Sequence, residues 1–129
     1  MFPELDQIIA SIQSDKRHDL VVLFIPSHDK KQNPLPDQAQ WAKAAGDLFA
    51  DLFTGATAFH AFAGFYKTED GIILHDTQIT IEAYVVREKL DDRHNLTQLL
   101  EFAKRMGRET NQAAVGLVVN HVFFAITRF

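Results

Sequence analysis

The spacing of apolar residues along this chain changes character repeatedly, and each change predicts an element. Leu5, Ile8, Ile9 and Ile12 recur at helical intervals between Pro3 and Ser14, which predicts a short amphipathic helix. A polar connector from Ser14 to Asp19 follows. Leu20 to Ile25 is then an uninterrupted apolar run closed by Pro26, the pattern of a strand covered on both faces. Ser27 to Pro36 forms the longest polar loop. Asp37, with Gln40 three residues on, has the spacing of a capping box for a second helix. That helix carries Trp41, Ala45, Leu48, Phe49 and Leu52 on one face to about Phe53, with Gly55 as its stop.

Strand periodicity returns after Gly55. Segments 56–66 and 72–86 flank Thr68-Glu69-Asp70-Gly71, whose Asp-Gly pair signals a hairpin. In the second arm Ile79, Ile81, Ala83 and Val85 alternate with Gln78, Thr80, Glu82 and Tyr84. A third helix opens within Asp91 to Asn95, bears Leu96, Leu99, Leu100, Ala103 and Met106 as a stripe, and ends at Gly107. The last strand spans 113–127.

These elements predict one α+β domain, a ferredoxin-like βαββαβ sandwich in which residues 1–14 are a helix appended to a 20–127 core. The sheet is expected to be four-stranded and antiparallel in the order 4-1-3-2, with two helices on one face. A length of 129 residues agrees with a single core.

That topology gathers segments that are distant in sequence. The ends of the first two strands meet the starts of the third and fourth, so an edge formed by 25–36, 66–72 and 107–112 becomes the candidate site. Gly107-Arg108-Glu109-Thr110-Asn111-Gln112 is entirely polar after its glycine and richer than a chain reversal requires. Arg108 could grip a carboxylate or phosphate, Glu109 could serve as a base, and Asn111 and Gln112 could donate hydrogen bonds. Ser27, His28, Tyr66 and Lys67 would share the edge. A structural alternative has Arg108 and Glu109 closing the helix end and tying down the corner.

Histidines supply the other candidates, since imidazole serves both as metal ligand and as base near neutrality. His60, Gln78 and Glu82 should share a face of the hairpin, and His121 follows Asn120 within the last strand. A site of His60, Glu82 and His121 would need matched faces, and no histidine has a known ligand spacing, so no metal or other cofactor is expected. His60 and His121 remain candidate catalytic residues beside Arg108 and Glu109. Ser27-His28-Asp29 is not a triad, because adjacent side chains cannot form the required relay. His75-Asp76 reads as a solvated pair at the start of the third strand.

Composition narrows the function classes. A 47% hydrophobic and 23% charged chain is ordinary globular material, and eleven Phe beside one Trp and two Tyr point to ring packing. A formal charge of −4 without a basic run argues against nucleic-acid binding. The absence of cysteine removes thiolate nucleophiles, disulfides and Cys-ligated zinc. Acidic residues near the start where a signal peptide carries bases, and no long apolar run, set the expectation of a soluble cytoplasmic protein with no membrane contact.

The last strand is apolar on both sides: Val115, Leu117, Val119 and Phe123 are expected on one face and Val118, Val122, Phe124 and Ile126 on the other. Something must cover the second face. Either the first helix folds over it, or two subunits pack sheet against sheet, enclosing a cavity lined by His60, Phe62, Glu82, Tyr84 and Asn120. The homodimer is the favoured expectation.

Phe65-Tyr66, Asp70-Gly71 and the run Met106 to Gln112 leading into an apolar strand resemble small bacterial α+β proteins of an uncharacterised family. The resemblance covers about half the chain, implies the fold, and brings no activity. Two classes of function follow. One is a noncatalytic binding or interaction module, homodimeric, with a small polar or anionic ligand or a partner at the edge site. The other is a small acid-base enzyme of hydrolase or isomerase type, using Glu109 or a histidine with Arg108.

Overall fold

A computed structural model describes residues 2–12 and 17–129. Elements follow in the order α1 (Pro3–Ala10), β1 (Asp19–Ile25), α2 (Gln38–Phe53), β2 (Thr57–His60), β3 (Gly64–Lys67), β4 (Ile73–Asp76), β5 (Ile79–Val85), α3 (Arg87–Leu90), α4 (Arg93–Glu109), β6 (Val115–Val119) and β7 (Val122–Ile126). The expected run of the first helix to Ser14 and the start of its connector fall partly outside the described residues.

β1 is central because its alternate residues meet apolar partners on both sides. Leu23 pairs with Ile81 of β5 and with Leu117 of β6, all pointing to the face covered by α2 and α4. Val21, Leu23, Ile25, Ile81 and Val85 there pack against Phe49, Phe53, Leu99 and Met106, each at most 1% exposed. Burying a side chain of this size is worth about 1.5–3 kcal/mol, so this layer dominates stability. The main sheet is antiparallel, in the order β2-β5-β1-β6-β7. Its first four members reproduce the expected ferredoxin-like order, and the fold is of that α+β type.

The fifth strand is a correction. The expected continuous last strand breaks at Asn120-His121, where Asn120 takes a left-handed φ of 56° that asparagine tolerates better than most residues. The Asn120 amide donates to Leu20 O at 2.7 Å, and its side chain accepts from Leu20 N at 2.9 Å and donates to Asp19 at 3.0 Å. This turn is therefore stitched to the start of β1. Since Val118 pairs with Phe123 and Leu117 with Phe124, Phe123 lies on the open sheet face and Val122, Phe124 and Ile126 on the helix side, the reverse of the expected assignment.

The long hairpin is divided too. β2 and β5 stay in the main sheet, while β3 and β4 form a separate two-stranded ribbon closed by Thr68 to Gly71, with Gly71 at φ 83°. Three caps also differ from expectation. Asp37 makes no side-chain cap, its carboxylate accepting instead from Trp41 Nε1 at 3.1 Å. Thr54, not Gly55, holds the left-handed end of α2, whereas Asp92, within the expected opening, caps α4 by accepting from Asn95 N at 3.0 Å. Gly107 does not stop α4: it lies buried inside the helix with the Phe129 ring against it. The stop is one turn on, where Asn111 at φ 54° lets the Gln112 amide donate to Gly107 O and the Asn111 amide to Arg108 O.

Asp19, 1% exposed, is the main buried charge. Arg87 grips it with Nε at 2.8 Å and Nη2 at 2.9 Å. The Arg87 hydrogen bonds, assisted by Asn120, hold its carboxyl below the ordinary aspartate value against the opposing effect of burial.

α1 buries none of its residues, leaving Leu5 and Ile8 exposed. It therefore does not cover the open sheet face. That face carries the row Thr57, Glu82, Val22, Val118 and Phe123, flanked by Phe59 and Tyr84.

Candidate functional site

Loop 27–36 is fixed before it becomes a wall. Asp29 folds it into a tight turn by accepting from Lys31 N at 2.8 Å and from Asn33 N at 3.0 Å, and Leu35 N donates to Ser27 O. These contacts, led by the Asn33 amide, hold the Asp29 carboxyl below its ordinary value. The loop is tied to the α4–β6 corner, where Lys30 N donates to Asn111 O at 2.9 Å and Gln112 Nε2 donates to His28 O at 2.8 Å. Buried Ser27 links it to the connection between β4 and β5: its Oγ accepts from Thr77 N at 3.0 Å and lies 2.7 Å from His28 Nδ1. Two of the segments expected to meet, 25–36 and 107–112, are thus joined by named bonds.

Between this loop, the β3–β4 ribbon and the open sheet face lies a cavity of about 480 Å³. Phe24, Phe123, Pro26, Leu74 and the Tyr66 ring supply apolar wall, while His28, Asp76, Gln78 and Gln112 supply polar groups. Gly116 lies beneath Phe24 and Phe123: a Cβ there would stand 3.0 Å from Phe123 and 3.1 Å from Phe24, whose rings pack edge to face. Tyr66 Oη donates to Gln78 Oε1 at 3.0 Å.

Asp76 is the unusual member. Its Oδ1 is buried without a hydrogen-bond partner. It presses on Gly64, where a Cβ would come 2.5 Å from that oxygen and 3.2 Å from Tyr66 Cε2. Burial pushes the Asp76 carboxyl up, opposed by the Gln78 backbone amide and by His28. Burial, then the charge of Asp76, raises Tyr66 in turn.

Of the residues expected at this edge, His28, Tyr66 and Gln112 line the cavity; Ser27 and Asn111 brace it from behind. Lys67 falls outside its lining, and Arg108 lines a separate groove with Leu48, Gln98 and Arg105. Glu109 lies 3.8 Å from Arg105, so the last turn of α4 looks away from the cavity. His60 pairs with Ile79 on the helix side, whereas Glu82 is on the open face, so His60 does not share a face with Glu82 as expected. His121 occupies the β6–β7 turn instead of a strand. No group of three or more His, Asp or Glu side chains among the described residues is placed to hold a metal ion. No described helix is long and apolar enough to cross a membrane.

Sequence reasoning passed over Asp76, Gln78, Phe24 and Phe123. The available signal was Gly64 followed by alternating residues opposite Asp76, but recognising it required the ribbon register that pairs those two positions.

No protein-family model and no curated protein matches this chain by sequence. Its fold is similar to that of solved structures. A phage SAM lyase in complex with S-methyl-5'-thioadenosine aligns at a TM-score of 0.62 and 10% identity, covering 89% of this chain and 95% of that one. The divalent cation tolerance protein CutA1 from Ehrlichia chaffeensis aligns at 0.52 and 14% identity, covering 84% of each chain. Its counterpart from Thermus thermophilus aligns at 0.51 and 12% identity, covering 81% and 82% respectively. At these identities the likeness concerns the fold.

Proposed function

We propose that this chain is a noncatalytic, self-associating binding module that holds a small polar molecule with an aromatic part. The carrying observation is the cavity of about 480 Å³, in which ring walls meet converging polar groups from three chain segments. That volume lies within the roughly 300–1,000 Å³ typical of small-molecule sites, and such sites are mostly apolar with few orienting polar atoms. His28, Tyr66 and Gln112 are the ligand-contacting residues of this reading, with Ser27 and Asn111 holding them. Arg108, Glu109 and Lys67 at its margin would bear on a ligand only from outside the cavity.

The phage SAM lyase complex supplies a first probe of suitable size and chemistry, S-methyl-5'-thioadenosine. Thermal unfolding is measured against increasing probe concentration. Specific binding raises stability by about 2.7 kcal/mol at a hundredfold excess over Kd. A flat Tm to millimolar probe counts against a site of this class.

Self-association rests on the open sheet face, where Phe59, Tyr84 and Phe123 remain 52%, 65% and 60% exposed. Large apolar side chains exposed together on one sheet face mark interfaces. Sedimentation is expected to return twice the 14.6 kDa chain mass, and Tyr84→Glu with Phe59→Glu the monomer. A wild-type monomer at all concentrations removes this part of the reading.

One observation favours an acid-base enzyme as a second reading: Ser27 Oγ engages His28 Nδ1, which fixes the ring and leaves Nε2 as the nitrogen for a substrate. A histidine base thereby moves from the expected His60 or His121 to His28. His28→Ala that binds probe normally, in a protein that never alters any bound compound, excludes it.

A further inference from the structure

Asp76 carries an acceptor that the chain itself does not serve. Its Oδ1 is buried and unpartnered, although buried carboxyl oxygens are nearly always hydrogen-bonded and an unpaired one costs on the order of 1–3 kcal/mol. The arrangement is built in, because Gly64 opposite Asp76 in the ribbon leaves the space that the oxygen occupies. Asp76 lines the cavity, where a ligand can bring the donor that this carboxyl lacks.

The neighbouring groups narrow that donor. Tyr66 already gives its hydroxyl proton to Gln78, and both Gln112 amide hydrogens are spent on His28 O and Thr110 O. Neither side chain therefore has a proton left for Asp76. Phe24, Phe123 and Tyr66 add faces and edges suited to a flat ring. Oδ1 lies against Gly64 and not in the cavity, so the carboxyl has to turn about its soft torsion to meet a ligand.

Resting on the cavity assigned above, we propose that Asp76 is its recognition residue and that its ligand is a planar heterocycle bearing an amino N–H donor directed at this carboxyl. Removing the ligand's amino group leaves the buried acceptor unpaired again, and sites of this design reject analogues lacking the donor. An acceptor kept at a cost in the free protein also predicts opposite signs for stability and binding.

Calorimetric titration of the full chain tests this with two probes, S-methyl-5'-thioadenosine and the analogue with purine in place of adenine. Wild type is expected to bind the amino probe at least tenfold more tightly. Asp76→Ala is expected to bind both alike, with an unliganded Tm equal to or above wild type. A wild-type preference needs no variant and guards against misfolding of Asp76→Ala. Equal wild-type affinities, or a preference that survives Asp76→Ala, overturn the assignment of Asp76 while leaving the cavity as a binding site. Failure of both probes to bind wild type overturns the heterocycle proposal together with the reading beneath it.

Discussion

Gly107→Ala should destabilise this protein even though it improves a helix. Alanine in place of an interior helical glycine is worth about 1 kcal/mol in propensity. Here the new methyl would meet the Phe129 ring: Cζ at 2.5 Å, Cδ1 at 2.6 Å, and Cε1 closer still. If the ring stays, overpacking costs about 1–3 kcal/mol. If the ring leaves, a partly buried phenylalanine forfeits about 1–2 kcal/mol of burial. The cheaper route costs up to about 2 kcal/mol, so the net loss reaches about 1 kcal/mol, or about 3–5 °C in Tm for a chain of this size. Removing the ring removes the penalty, and in a Phe129→Ala background the same substitution should stabilise by about 1 kcal/mol. Circular dichroism melts of the four proteins give a coupling of about 2 kcal/mol. The same sign for Gly107→Ala in both backgrounds would refute the contact.

Other expectations follow from single observations. Arg87→Ala or Asn120→Ala strips donors from buried Asp19, and each should lower stability by about 1–3 kcal/mol in urea melts. Because the Asp19 carboxyl is held below its unfolded value, its stabilisation is present above that value and is lost as pH falls through the folded one; Arg87→Ala should flatten this acid limb. Asp76 has the opposite sign: its raised folded value means that stability falls as pH rises from the unfolded to the folded value, and Asp76→Asn should remove that decline. Gly116→Ala asks Phe24 and Phe123 to yield by a few tenths of an ångström, so it should weaken probe binding more than it alters Tm, and equal binding would show that the rings do not form the wall.

Much of the fold was legible because its signals are local. The apolar run of β1, the Asp70-Gly71 turn and the stripes of α2 and α4 each depend on short-range periodicity, and the four-strand order followed from their sequence. The errors arose where tertiary contacts override local pattern. Asn120 ends a strand that its neighbours would continue, because its amide and side chain bond to β1. Gly107 looks like a helix stop until Phe129 returns to fill its place.

The site was legible to a similar depth. Topology brought His28, Tyr66 and Gln112 to one corner, but could not tell that the last turn of α4 points Arg108 and Glu109 away. Asp76 was invisible as a site residue because its interest lies in a missing hydrogen bond, which no sequence displays.

The most direct test is amide chemical-shift mapping of the full chain titrated with S-methyl-5'-thioadenosine. Saturable shifts concentrated in 26–32, 64–78 and 112–116, and around Phe123, are the predicted result. Shifts centred on the Arg105 and Arg108 groove, or none at millimolar probe, would contradict the cavity as this protein's binding site.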